Sequence, residues 1–386
     1  MSVESFYEDL RAGVALEGDR AVLRVVATYE PVGGPGSRVF PPTYPRTRDE
    51  SPYLLEQRWV EGTERSDVLL DATASQANRV EEALLRARRS GEAAFPLMEL
   101  RHTGEVELVL SSLEWPHRYA DAYARDSLLD GVPFDRSTLG RSLREASLED
   151  ARALFAADPG SLVFGAWDSH RQGRQQKFPR VYASELIGWD PVEAVRKAGR
   201  LDPLNLTGAA RRGKDSAEWE FVAAAQKVKG EKLSEIGHGN VAPNAQHGGV
   251  TISSAQRFAT LSLAGLDRIG FGDLSRAGAV AARTALAAYA LVGDRLAFGG
   301  PSVWLRSGCE LVLVSEQLVW VQRGGQTVPT QLSRGDALDL LRLAVERAER
   351  EGMRWNAETV ALTPSPALAK AIDFSLTKAA PEAKAE

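Results

Sequence analysis

The run AVLRVVATY, Ala21–Tyr29, is rich in β-branched residues and reads as a strand, yet it leads straight into twenty residues that suit no regular element. That stretch, PVGGPGSRVFPPTYPRTRDE, holds five prolines and three glycines. It cannot be helix, and prolines lack the N–H that a sheet ladder needs. A chain built this way must place its core elsewhere and send this segment out as an insertion. A second strand, Val68–Asp71, passes directly into a helix that carries Ala77, Val80, Ala83, Leu84 and Ala87 at helical spacing. Arg86, Arg88 and Arg89 close that helix, where cations suit the macrodipole.

Val106–Leu110 reads as a third strand, and Ser147 caps a short helix through Ala156. Leu162–Trp167 is an apolar run, and Val181–Ile187 is a strand. Residues from about 190 to 248 are expected as mixed helices and long loops, including the polar segment HGNVAPNAQHGG. VTISSAQRFATLSL reads as one long strand, followed by an Ala-rich helix over Arg276–Leu291. Three short strands lie around Pro301–Leu305, Glu310–Val314 and Leu318–Val321, and a helix capped near Asp336 runs to Glu351. No repeat of solenoid or propeller period is present. Strands separated by helices and insertions indicate an α+β fold. The expected organisation is one domain over 1–376, with insertions at about 30–66 and 190–248 and a polar, disordered tail over 377–386.

Several function classes are excluded on composition. With 44% hydrophobic and 26% charged residues the chain is of ordinary soluble type, and no apolar run nears the ~18 residues of a membrane helix. MSVESFYEDL has neither a basic nor an apolar leader region, so a cytoplasmic location is expected. The single cysteine, Cys309, rules out an intramolecular disulfide framework and reads as a core residue. His102, His117, His170, His238 and His247 form no helical ligand pair, so neither a metal nor a cofactor is expected. Gly208–Asp215, GAARRGKD, departs from a phosphate-binding P-loop at its last position, where a carboxylate replaces the hydroxyl that would hold Mg²⁺. No G-x-S-x-G elbow occurs.

The formal net charge of −5 hides an asymmetry: His170–Lys214 sums to +6 and the remainder to −11. A basic block in an acidic chain suggests one face for a polyanion; a solvated charged loop is the plain alternative. Within FGAWDSHRQGRQQKFPRVYASELI, residues Arg171, Arg174, Lys177 and Arg180 recur every three residues. Guanidiniums clamp phosphates, and the interleaved Gln172, Gln176 and Ser169 donate further hydrogen bonds. Gly173 allows close backbone approach, and Trp167 offers a stacking face or fills a core. A second polar cluster, VLLDATASQANRVEE over Val68–Glu82, sets Ser75, Gln76, Asn78 and Arg79 at a strand-to-helix junction, which suits either an anion or a simple helix cap.

VLLDATASQANRVEE and FGAWDSHRQGRQQKFPRVYASELIGWDP closely resemble signature segments of the type I-G (formerly I-U) CRISPR-associated RAMP family, and RVFPPTYP and GGVTIS resemble further family segments in the same order. The resemblance spans roughly residues 20–320. It implies an RNA-recognition-motif-like, ferredoxin-like core with insertions forming finger, palm and thumb. It further implies a crRNA-binding backbone subunit of Cascade, assembling head to tail along the guide RNA spacer in antiviral defence. Implied partners are crRNA, the target DNA strand through guide pairing, further copies of the chain, and the repeat-processing and large subunits. Under that reading Arg171, Arg174, Lys177 and Arg180 contact phosphates; Gln172, Gln176, Ser169 and Trp167 assist; Gln76, Asn78 and Arg79 form a second edge of the groove. Arg46, Arg48 and the loop holding His238, Asn240 and Asn244 belong to a finger or thumb.

A non-catalytic role is expected. The alternative is a metal-dependent target-RNA endoribonuclease using a loop aspartate, Asp71 or Asp168. Neither has an obvious second carboxylate to share Mg²⁺.

Overall fold

The computed structural model describes residues 2–45, 50–104, 106–169, 175–197, 199–203, 210–212, 219–221, 231–232 and 245–377. The chain opens with α1 (Val3–Val14), β1 (Arg20–Pro31), β2 (Leu55–Val60), β3 (Thr63–Asp71), α2 (Thr73–Arg89), β4 (Leu97–Thr103) and β5 (Glu107–Ser111). Short elements follow: α3 (Ala122–Arg125), β6 (Ser127–Leu129), β7 (Val132–Pro133), α4 (Thr138–Glu145), α5 (Arg152–Ala157) and α6 (Pro159–Phe164). Next come β8 (Ala166–Asp168), β9 (Gln176–Phe178), β10 (Tyr182–Trp189), β11 (Val192–Lys197), β12 (Ala210–Arg212), β13 (Trp219–Phe221), β14 (Glu231–Lys232), β15 (Ala245–Thr251) and β16 (Ser254–Ser262). The last part holds α7 (Leu263–Asp267), α8 (Arg276–Phe298), β17 (Ser302–Arg306), β18 (Cys309–Gln322), β19 (Thr327–Thr330), α9 (Arg334–Arg350), β20 (Thr359–Pro364) and α10 (Pro366–Thr377).

The fold is α+β, organised on an antiparallel sheet of order β17-β18-β1-β16-β10-β3-β2, with β19 also paired to β18. Strand β1 lies in its middle, with Leu23 opposite Leu261 of β16 and Trp320 of β18. Its period-two pattern turns Leu23, Val25, Ala27 and Tyr29 into the core and leaves Val22, Arg24, Val26 and Thr28 partly exposed. β16 alternates likewise, burying Ala255, Arg257, Ala259 and Leu261. Helix α2 packs on β10 and α8, while α1 packs on α8 and α9. The alanines of α8 keep its surface low, and Gly293 permits the closest approach: a methyl group there would run into Val80 and Leu84 of α2. Ser275 caps α8 by accepting from the Gly278 N–H, and Ser333 with Asp336 forms a capping box on α9. Burial of each core leucine, such as Leu286, contributes about 1.5–3 kcal/mol.

A second sheet, β5-β4-β20-β6-β7, has β20 parallel to β4 and draws the C-terminal region beside residues 97–133. Two ribbons, β8–β9 and β11–β15, stand apart from both sheets, as does the trio β13-β12-β14. Among the described residues no helix is long and apolar enough to cross a membrane.

Five expectations are corrected. The regular elements described within 190–248 are strands, not helices: β11 through β14 and the start of β15, with 199–203 outside any of them. VTISSAQRFATLSL is broken into β15 and β16, because it turns from the ribbon into the main sheet. The two strands expected around 310–314 and 318–321 are one, β18, which stays paired to β1 through a register shift at Thr28/Tyr29. Helix α10 extends to Thr377, one residue into the expected tail; 378–386 lie outside the described residues. As expected, the described part of 31–50 carries no helix, and a single bridge from Val39 to Val250 helps to hold it on the body; the insertion expected over about 30–66 is cut short, because β2 and the start of β3 fall inside it and join the main sheet. Cys309 is buried in the core, also as expected.

Candidate nucleic-acid interface

The ribbon β8–β9 begins at Gly165, whose φ of 85° lies in the left-handed region. A Cβ there would come within 3.0 Å of the Phe178 carbonyl oxygen and of Arg180 Cγ. The chain thereby turns out of α6 into a hairpin in which Ala166 faces Phe178, Trp167 faces Lys177 and Asp168 faces Gln176. Alternation gives the two faces different chemistry. Phe178 turns inward and meets the Tyr119 ring edge-on at 6.0 Å. Trp167, 58% exposed, and Lys177 sit side by side on the other face.

Beneath them lies a groove of about 680 Å³ lined by Pro116, His117, Trp167, Ser169, Lys177 and Arg180, among others. Arg180 is exposed and anchored by a bond from its Nε–H to the Phe164 carbonyl, 3.1 Å. Among the described residues no carboxylate forms an ion pair with Arg180 or Lys177. An exposed aromatic face beside two such cations suits a single nucleic-acid strand, with a base on the ring and phosphates on the charges. Gln176 is half-buried at the hairpin's other face. Arg171, Gln172 and Arg174, which fall between β8 and β9 in sequence, lie outside the described residues, as do Arg46, Arg48, His238, Asn240 and Asn244.

The second sequence cluster turns the other way, which corrects the expectation of a second groove edge. Gln76 is fully buried. Its amide N–H donates to Asp71, 2.5 Å, and its carbonyl accepts from Ser184 Oγ, 2.9 Å, and from Arg257 Nε, 3.1 Å. Arg79 pairs with Asp71 at 2.7 Å and donates to the Leu305 carbonyl at 2.8 Å. Only Asn78 of the three is exposed. The physical reason is register: Gln76 stands four residues before Val80, on the same buried stripe of α2.

Asp71, proposed by the nuclease alternative, is fully buried between Arg79, Ser75 and Gln76, with Arg306 at 3.6 Å. Asp168 sits on β8 opposite Gln176. Among the described residues no group of three His, Cys, Asp or Glu side chains could hold a metal ion. Asp67, in the middle of β3, is buried against Arg58 at 2.9 Å.

Sequence reasoning missed the network that Gln76 joins. Arg257 is fully buried and pairs with Asp294 of α8, which also pairs with Arg295; Arg295 continues to Glu316 of β18 at 2.5 Å. The Tyr182 hydroxyl donates to Asp294, 2.5 Å, and accepts from Arg257, 2.7 Å. Burial works to raise the Asp294 carboxyl, but Arg257 and Arg295 overcome it and hold the group well below the usual carboxylate range. Burial pushes the Tyr182 hydroxyl far up. The available signal was period two in β16: Arg257 falls on the same face as Ala255, Ala259 and Leu261, and a core arginine requires a carboxylate opposite.

Residues 23–192 match the sequence model of a family described as CRISPR-associated protein GSU0053, a span a little under half of the chain. No curated protein matches the chain. A solved structure titled "CRISPR RNA-guided surveillance complex, pre-nicking" is 12% identical with a TM-score of 0.37, over 92% of this chain and 99% of that one. Over the segment that contains both the groove and the buried Asp71–Gln76 cluster, the chain is therefore similar to a CRISPR-associated family.

Proposed function

We propose that the protein is the crRNA-binding backbone subunit of a type I-G Cascade complex, gripping guide RNA in the Trp167–Lys177–Arg180 groove without cleaving it. The observation that carries this reading is the β8–β9 hairpin itself: an exposed tryptophan and lysine share a face above an exposed arginine, inside a segment similar to a CRISPR-associated family. Strand order supports it too. β18, β1, β16 and β10 are neighbours with every pair antiparallel, and α2 and α8 lie in the two connections, the arrangement of a split β-α-β pair as in an RNA-recognition-motif-like core. In this role the subunit holds the phosphate backbone and leaves sequence reading to guide–target pairing. Further copies of the chain, the repeat-processing and large subunits and the target DNA strand complete the complex.

The test is to purify the protein from cells expressing a CRISPR array and sequence the bound RNA. Discrete spacer–repeat RNAs are expected; nucleic-acid-free protein beside its partner subunits overturns the reading. In vitro, Lys177→Ala/Arg180→Ala is expected to weaken binding of single-stranded RNA of any sequence. It should also lower the slope of log affinity against log salt by about 1.4, or ~0.7 for each phosphate that the variant no longer neutralises. An unchanged slope removes these two residues from the interface.

A further inference from the structure

The groove's position depends on a pair of residues, one of which has no access to it. Glu81, on α2, is 2% exposed and belongs to the stripe that packs inward. Both its carboxylate oxygens are taken by Arg118, whose Nε–H and Nη2–H donate at 2.6 and 2.9 Å. The remaining nitrogen, Nη1, donates at 2.8 Å to the carbonyl of Gly165, the residue at which the hairpin leaves the body. One guanidinium thus ties the hairpin base to α2.

Three further observations fix Arg118 in that geometry. Its φ is 51°, a left-handed conformation that an arginine adopts only where its surroundings enforce it. Its neighbour Tyr119 packs on Phe178 of β9, and the Tyr119 N–H donates to Ser161 Oγ, itself bonded to the buried Asp158. The next carbonyl back, Phe164, is held by Arg180. Two arginines therefore hold two successive carbonyls at the hairpin root. Burial drives the Glu81 carboxyl upward against the opposing charge of Arg118, so this pair is maintained at a cost in desolvation.

We infer that Glu81, acting through Arg118, is a positioning residue for the nucleic-acid groove: it sets the angle at which β8–β9 presents Trp167 and Lys177. This rests on the proposed function for its binding readout, but not for its structural one.

The experiment compares wild type with Glu81→Gln, and with Arg118→Lys as a second variant that keeps the charge while shortening the reach to Gly165. Two quantities are measured: affinity for a fluorescein-labelled single-stranded RNA across a salt series, and amide hydrogen exchange along the chain. Both variants are expected to lose on the order of tenfold in affinity, the scale of one charge-assisted bond, with the salt slope unchanged because no phosphate-binding group is removed. Exchange should rise in 166–168 and 176–178 while β1 and β16 stay protected. Unchanged exchange in the hairpin overturns the inference, and so does a rise shared equally by β1 and β16, which would mark Glu81 as generally stabilising. Should Glu81→Gln fail to fold, Arg118→Lys decides on the same criteria. If wild type binds no RNA at all, the functional reading falls, while the exchange pattern still judges the tie between α2 and the hairpin.

Discussion

Two polar clusters flank the same helix, and they point in opposite directions. Val68–Glu82 and Phe164–Ile187 both carry Asp, Gln, Ser and Arg. The first closes inward around Asp71, Gln76 and Arg257, where every donor meets a protein acceptor, apart from Arg257 Nη1, which is buried without one. The second opens outward at Trp167, Lys177 and Arg180. The difference lies in what stands opposite. Gln76 faces the main sheet from α2 and meets a buried arginine that needs it, whereas Lys177 projects from a two-stranded ribbon with solvent on that side. Polar residues in a sequence signal a partner; the fold decides whether the partner is the protein itself.

The inward cluster should therefore govern stability and leave binding alone. Asp294→Ala removes the carboxylate shared by Arg257 and Arg295 and leaves both guanidiniums in the core. A loss of about 3–5 kcal/mol is expected, the usual cost of stranding a buried charge. Urea denaturation measures it, and RNA affinity per folded molecule should be unchanged at low denaturant. A change in affinity larger than the folded fraction explains would break the separation between the two clusters.

Between the clusters lies Asp158, buried beneath the turn that carries Arg118, with its carboxylate accepting from Ser161 Oγ at 2.8 Å. Burial raises this group from 3.8 to about 6. A raised native value means that the folded chain binds the proton more tightly than the unfolded one, so stability falls as pH climbs from about 4 to about 6. Two units correspond to at most ~3 kcal/mol. Asp158→Asn keeps an oxygen for Ser161 and carries no charge, so it should gain up to that amount at pH 7, with the advantage shrinking toward pH 4. Chemical denaturation of both proteins at several pH values checks it; a constant difference would mean that Asp158 does not titrate in this window.

How much of this is legible in the sequence follows from the same contrast. The strands at β1, β3 and β10 and the helices α2, α8 and α9 carry clear periodicity, and the structure has them within a few residues of where that periodicity places them, α8 alone running seven residues longer. Helix α1 is missing from the expectations, although Phe6, Tyr7, Leu10 and Val14 are spaced for one buried face. β20 is invisible because its ladder partner β4 is some 260 residues away in sequence and no local pattern encodes it. In the site, Lys177 and Arg180 can be read from spacing alone. The inward turn of Gln76 is legible too, from its place on the Val80 stripe, where register outweighs chemical suggestiveness. Arg118 gives no signal: what defines it is a positive φ and a bond to Glu81 across 37 positions.

The smallest effect is the one that separates stacking from charge within the outward cluster. Trp167 is 58% exposed, so Trp167→Ala should change stability by no more than ~0.5 kcal/mol, as for ordinary surface positions. Loss of a base–aromatic stack should weaken RNA binding by ~1–3 kcal/mol, with little preference among the four bases, because each has a π face. Inorganic polyphosphate has no bases, so competition by polyphosphate should be unaffected in Trp167→Ala yet reduced in Lys177→Ala/Arg180→Ala. If both variants lose polyphosphate and RNA binding in the same proportion, Trp167 acts by packing against the Lys177 stem and the groove is an electrostatic surface alone. If only the tryptophan variant spares polyphosphate, the exposed face of β8–β9 holds bases as well as backbone, and the hairpin is a nucleic-acid grip with two separable parts.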